Sequence, residues 1–232
     1  MKTKTKTKTK TKYRLSGLFF TLMIVFSTLS PAGTLYTDFP DIINADEKYV
    51  FYSHGLIVEG ENLMPVDERW GVYDFIAVRK ALTDPDYNLI SYHRPEKTVA
   101  DEFAEKLAID VRKLIKAGVK PENITLLGFS RGGEITLLAT TKLRMDKINT
   151  ILLAVCGGFI EQHNEYQAFG NIYSIYETSD FAGSCQFLQD RNEQVKSFQE
   201  TSISTGKEHG AFYQPLPQWL TQVKKWLKSA SE

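Results

Sequence analysis

The 232-residue sequence is poor in two of the side chains that usually build metal sites, with two cysteines and four histidines. Two cysteines are too few for a disulfide framework or a cysteine-built zinc module. No pair of histidines has metal-ligand spacing, so neither a metal nor another cofactor is expected. Acidic residues are missing altogether from the first 32 positions, which hold six lysines and Arg14. Seven of the 28 basic residues and none of the 28 acidic ones fall there, so positions 33–232 carry 21 basic against 28 acidic residues. An acidic body argues against a nucleic-acid partner, which would need a basic face for phosphates. No apolar run reaches the ~20 residues that span a bilayer. There is no internal repeat and no Gly/Ser-rich linker, so residues 33–232 read as one domain, long enough to bury a substantial core.

Residues 2–12 alternate lysine and threonine and cannot bury an apolar face. Leu15 to Leu29 is apolar and uncharged, and Ser30-Pro31-Ala32 places small residues at the −3 and −1 positions of a cut after Ala32. A basic start, a short apolar core and a small-residue site form the layout of a secretory signal peptide, here residues 1–32. Export to the periplasm or medium is expected. The alternative is an uncleaved anchor through residues 15–29, the chain's only route to a membrane.

Short β-branched or aromatic runs then alternate with longer helical periodicities. Strands are expected at Tyr49–Ser53, Asn88–Tyr92, Ile124–Leu127, Thr150–Val155, Asn171–Tyr176 and Lys196–Ile203. Between them, helical patterns run over about 73–82, 98–117 and 132–144, and a last stripe joins Leu216, Trp219, Leu220, Val223, Trp226 and Leu227. The alternation implies an α/β fold with a mostly parallel sheet of about six strands, covered by helices on both faces.

The sharpest signal is Gly128-Phe129-Ser130-Arg131-Gly132, a G-x-S-x-G motif with an apolar strand running in and a helical pattern running out. That context makes it a nucleophile elbow, a strained turn presenting the serine hydroxyl at the sheet's carboxyl edge. Side chains at Gly128 or Gly132 would collide with the neighbouring strand or helix. The Arg131 N–H, at a helix N-terminus, is placed to stabilise an oxyanion. Serine needs a base held by a carboxylate. His209, in the loop between the last strand and last helix, is favoured over His163 in its polar stretch. Asp180, just past the strand that ends near Tyr176, is the favoured acid, with Glu177 and Asp190 as rivals. A second oxyanion donor is expected after the first strand, in His54-Gly55-Leu56-Ile57, from the Leu56 N–H or else that of Ile57. Arg94 and Arg131 are candidates for the rim of the site, and Leu56, Ile57, Leu63, Met64 and Trp70 for an apolar pocket.

On His54-Gly55, Gly128–Gly132, Asp180 and His209, in that order, the chain resembles the α/β-hydrolase superfamily over roughly 48–230, as a small member with no obvious lid domain. The resemblance implies a parallel sheet, a serine–histidine–aspartate triad and hydrolysis through an acyl-enzyme. A carboxylic ester is the expected small-molecule substrate, with amides or peptides behind it. Residues 33–47 are too short for the superfamily's first two strands, leaving the order 4-3-5-6-7-8 in its count. In that order the strands leading to Cys156 and Cys185 are neighbours, and with export these two cysteines are expected to pair. The superfamily also holds catalytically inactive binding proteins. A binding module or a cell-surface interaction protein therefore stands as the alternative function.

Overall fold

The computed structural model describes Met1 and residues 33–229; apart from Met1, the leader expected at 1–32 lies outside the described residues. The chain forms β1 (Leu35–Tyr36), β2 (Tyr49–Ser53), β3 (Val66–Asp67), β4 (Gly71–Val72), α1 (Phe75–Leu82), β5 (Asn88–Ile90), α2 (Ala100–Lys116) and β6 (Ile124–Phe129). It continues with α3 (Arg131–Leu143), β7 (Asn149–Leu153), α4 (Gly158–Gln162), β8 (Gly170–Glu177), α5 (Phe187–Arg191), β9 (Val195–Ile203) and α6 (Pro217–Ser229). Seven strands make one parallel sheet in the order β1-β5-β2-β6-β7-β8-β9. β3 and β4 form a separate antiparallel hairpin.

The order from β5 to β9 matches the expected 4-3-5-6-7-8, but the count of six is corrected to seven. The stretch 33–47 supplies an edge strand after all. Leu89 N–H donates to Thr34 O at 2.9 Å and Ser91 N–H to Tyr36 O at 2.8 Å. Two paired residues are too few to leave a period in the sequence. β7 also ends earlier than expected, because Ala154 turns to φ 48° after Leu153.

The inner strands β2, β5, β6 and β7 are buried on both faces, and the side-chain period of two sorts their residues between two cores. On β2, Tyr49 and Phe51 face the core built with α2 and α3, beside Leu107, Val111 and Ile135. Val50 and Tyr52 face the other core, which holds Trp219, Val223 and Trp226 of α6. Burying apolar area on both sides, at roughly 25 cal/mol per Å², is why these strands read as continuous apolar runs. The registers Ser53↔Gly128, Gly128↔Leu152 and Leu152↔Ser174 bring β2, β6, β7 and β8 level at their carboxyl ends. The loops carrying the candidate residues all leave from this edge. Among the described residues no helix is long and apolar enough to cross a membrane.

Candidate active site

Ser130 sits between β6 and α3 at φ 51°, ψ −120°. That conformation costs on the order of 1–3 kcal/mol and persists only where the surroundings enforce it. Here Ser130 N–H donates to Leu153 O at 3.0 Å, while Ser130 O accepts from Gly133 N–H at 2.8 Å and Glu134 N–H at 3.0 Å. The flanking glycines are required by close approach. A Cβ on Gly128 would lie 2.4 Å from Gly132 O, and one on Gly132 would lie 2.0 Å from Ser53 O. Arg131 is the first residue of α3, where a backbone N–H has no intrahelical partner.

His209 lies on a short 3₁₀ helix, Glu208–Phe212, between β9 and α6. Its Nδ1 bonds Asp180 Oδ2 at 2.7 Å, with both side chains buried. A carboxylate only accepts, so Nδ1 carries the proton and Nε2 is the ring's remaining proton-accepting site. Rings pack on the imidazole from several sides: Phe181 at 4.8 Å between centroids, Phe129 at 4.9 Å and Trp70 at 5.2 Å. Ser130 and His209 line one cavity of about 160 Å³, together with Leu56, Trp70 and Tyr213. Their side chains are not hydrogen-bonded to each other among the described residues; such bonds often tighten only with substrate bound. His163 lies elsewhere, its Nδ1 bonded to Phe159 O at 2.8 Å.

Leu56 opens a 3₁₀ turn, Leu56–Val58, directly after Gly55. It borders the same cavity and a second one of about 350 Å³ that also reaches Ser130. Among the described residues no three His, Cys, Asp or Glu side chains are grouped to hold a metal ion.

No protein-family model and no curated protein matches the sequence. Solved structures do resemble the chain. A lipase-esterase related protein from Clostridium acetobutylicum ATCC 824 superposes with TM-score 0.51 at 14% identity, over 79% of this chain and 96% of that one. For the esterase RhEst1 from Rhodococcus sp. ECU1013 the values are 0.52, 14%, 82% and 93%. For the RedJ thioesterase of prodiginine biosynthesis in Streptomyces coelicolor they are 0.52, 8%, 86% and 89%. The chain has the α/β-hydrolase fold.

Within this fold Arg94 is not on the rim, which corrects the expectation. It is 1% exposed. Its Nε donates to Glu59 at 3.1 Å, and one Nη donates to the carbonyls of His54 and Gly55. The Arg94 N–H also donates to His54 Nε2 at 3.0 Å, and His54 Nδ1 bonds Gly55 O at 2.8 Å. Burial first, then the nearby guanidinium, push the His54 imidazole well below its usual value, so the ring is neutral as this pattern requires. Arg94 and His54 therefore clamp the loop that carries Leu56. A sequence cannot distinguish a buried arginine from a rim arginine when its partner, Glu59, is 35 positions away. Arg131 is engaged by Glu134 at 2.7 Å.

Glu177, a rival for the acid, has another place. Its Oε2 accepts from Ser179 N–H at 2.7 Å and from Ser179 Oγ; its Oε1 accepts from Thr205 N–H at 2.8 Å and Gly206 N–H at 3.1 Å. Burial raises its pKa, but the bonds from Ser179, Thr205 and Gly206 outweigh that and hold it below the ordinary value. It ties the turn of Asp180 to the loop of His209. Asp190 lies on α5, away from both cavities.

The aromatic packing is absent from sequence reasoning, except for Trp70 as a pocket candidate. Trp70 stands on the β3–β4 hairpin, held by Nε1–H to Glu208 Oε2 at 3.0 Å; Arg69 meets the same carboxylate at 2.6 Å. Cys156 and Cys185 are joined by a disulfide, Cα to Cα 5.2 Å, between the exit of β7 and the loop after Asp180.

Proposed function

We propose that this protein is an exported serine hydrolase that cleaves a carboxylic ester through an acyl-enzyme. Ser130 Oγ attacks the acyl carbon as its proton passes to His209 Nε2, and Asp180 holds the imidazole and stabilises its protonated form. The Arg131 and Leu56 N–H groups receive the oxyanion. Collapse breaks the bond to the alcohol oxygen, which leaves with the proton from His209. Water, deprotonated by the same imidazole, then releases the acid and restores Ser130.

The observation that carries this reading is the 2.7 Å bond from buried His209 to buried Asp180, in a ring that shares a cavity with a serine held at φ 51°. Strain of this kind needs a compensating use, and a nucleophile that must project from a tight turn is one. Export is supported by the basic–apolar–small leader and by a disulfide, which persists in oxidising compartments. A fluorophosphonate probe should label the wild type and leave Ser130→Ala unlabelled. Equal labelling of both, or of neither, would remove Ser130 as nucleophile. Sequencing of the mature chain should begin at Gly33; a retained leader would favour the anchor through residues 15–29.

A further inference from the structure

Two cavities meet at Ser130, and they differ chemically. The smaller includes His209, Trp70 and Tyr213. The larger, about 350 Å³, includes Arg131 and the start of α4 but not His209. We propose that the larger cavity receives the acyl group of the substrate, and that this group is apolar, uncharged and short to medium in length. The proposal rests on Ser130 being the nucleophile.

The side follows from proton transfer. The leaving oxygen must take its proton from His209, so the alcohol lies in the cavity that His209 lines. The acyl carbon's other substituent then points away from the imidazole, into the larger cavity. That wall is apolar: Leu56, Val155, Phe159, Ile160 and Phe181. Phe159 and Phe181 are left 58% and 70% exposed at its mouth. Exposed rings grouped at a cleft mark a surface meant to be covered by an apolar partner. The two ionic groups present cancel. Arg131 bonds Glu134 at 2.7 Å and Tyr166 Oη–H donates to Glu134 at 3.0 Å. A second Arg131 nitrogen donates to Thr98 O at 3.3 Å, and its Nε is buried without a partner. An acidic acyl group would find no free cation here and would lose its hydration.

Size follows from the volume and from Gly157. Ligand pockets run from roughly 300 to 1,000 Å³, so this one suits a single short chain or ring. Gly157 has an ordinary extended backbone, φ −121°, ψ −179°, and a Cβ there meets nothing nearer than Phe181 O at 3.7 Å. The absence of a side chain at 157 leaves the cavity open, and a larger residue should fill it without strain.

The test is kcat/KM for p-nitrophenyl acetate, butyrate, hexanoate and hemisuccinate. In the wild type, butyrate or hexanoate should exceed acetate by about tenfold or more, and butyrate should exceed hemisuccinate by at least as much. Gly157→Leu should lower the hexanoate-to-acetate ratio by about tenfold or more. Glu134→Gln exposes the charge of Arg131 and should raise the hemisuccinate-to-butyrate ratio. A flat or falling chain-length profile overturns the proposal, as does a ratio unmoved by Gly157→Leu or by Glu134→Gln. If Gly157→Leu does not fold, the wild-type profile and Glu134→Gln decide. Fluorophosphonate labelling separates the two failures. A protein that labels but shows the wrong profile loses only the acyl assignment, and one that neither labels nor cleaves any ester loses the hydrolase reading as well.

Discussion

Glu177→Gln is a sharp probe of how the site is held together. The change is isosteric and the side chain is 1% exposed, so packing is preserved. One carboxylate oxygen accepts two hydrogen bonds from Ser179, and the other accepts three, two from Thr205 and one from Gly206. Glutamine has one accepting oxygen, so whichever way the amide lies, its NH₂ faces donors on one side. Losing charge-assisted bonds and leaving buried N–H groups unpaired should cost about 2–4 kcal/mol. Urea unfolding should show a lower midpoint at unchanged slope. The tied loops carry Asp180 and His209, so kcat should fall by about 10–100-fold with a smaller change in KM. The pH dependence has a definite sign. The Glu177 carboxyl is held below its reference value of 4.5 in the folded state, so the unfolded chain binds its proton first. Its contribution to stability is present above about pH 4.5 and is lost as pH falls through the folded value. The variant should lack that component and lose less stability between neutral and acid pH. A variant within about 0.5 kcal/mol of wild type, fully active and with the same acid slope, would refute the reasoning.

Further outcomes follow from other contacts. Asp180→Asn should leave the fold intact and lower kcat by ~10⁴-fold, since the amide no longer selects the imidazole tautomer; near wild-type ester hydrolysis would take Asp180 out of the site. Reduction of Cys156–Cys185, separated by 29 positions, should cost about 3–4 kcal/mol, read as a drop in thermal midpoint; two free thiols in the unfolded, unreduced exported protein would contradict it. Arg94→Met leaves Glu59 buried and unpaired and should cost about 3–5 kcal/mol, with equilibrium unfolding as the check. A stable Arg94→Met protein would deny the clamp on the Leu56 loop.

Much of the architecture is legible from the residues alone. Strands buried on both faces are short apolar runs, helices that cover them carry a 3.6-residue stripe, and their alternation leaves few arrangements but a parallel sheet. The turn at Ser130 is legible for the same local reason: Gly128 and Gly132 are required by contacts within one strand–turn–helix unit and its neighbour. What escapes is what depends on distant partners. β1 is two residues long and exists because β5 offers free hydrogen-bonding groups beside it. Arg94 reads as a surface charge until Glu59 and the His54 carbonyl are folded over it. Glu177 reads as a strand residue or a rival acid until the loops at 179 and 205 converge on its two oxygens. The sequence by itself therefore determines the fold class, the tight turn at Ser130 and the order of the polar residues, because periodicity and sterics act over a few positions. Only the tertiary structure decides which carboxylate meets His209 and which aromatic rings enclose it. It also decides which cavity opens away from it, because those contacts join segments whose spacing along the chain carries no record of their distance in space.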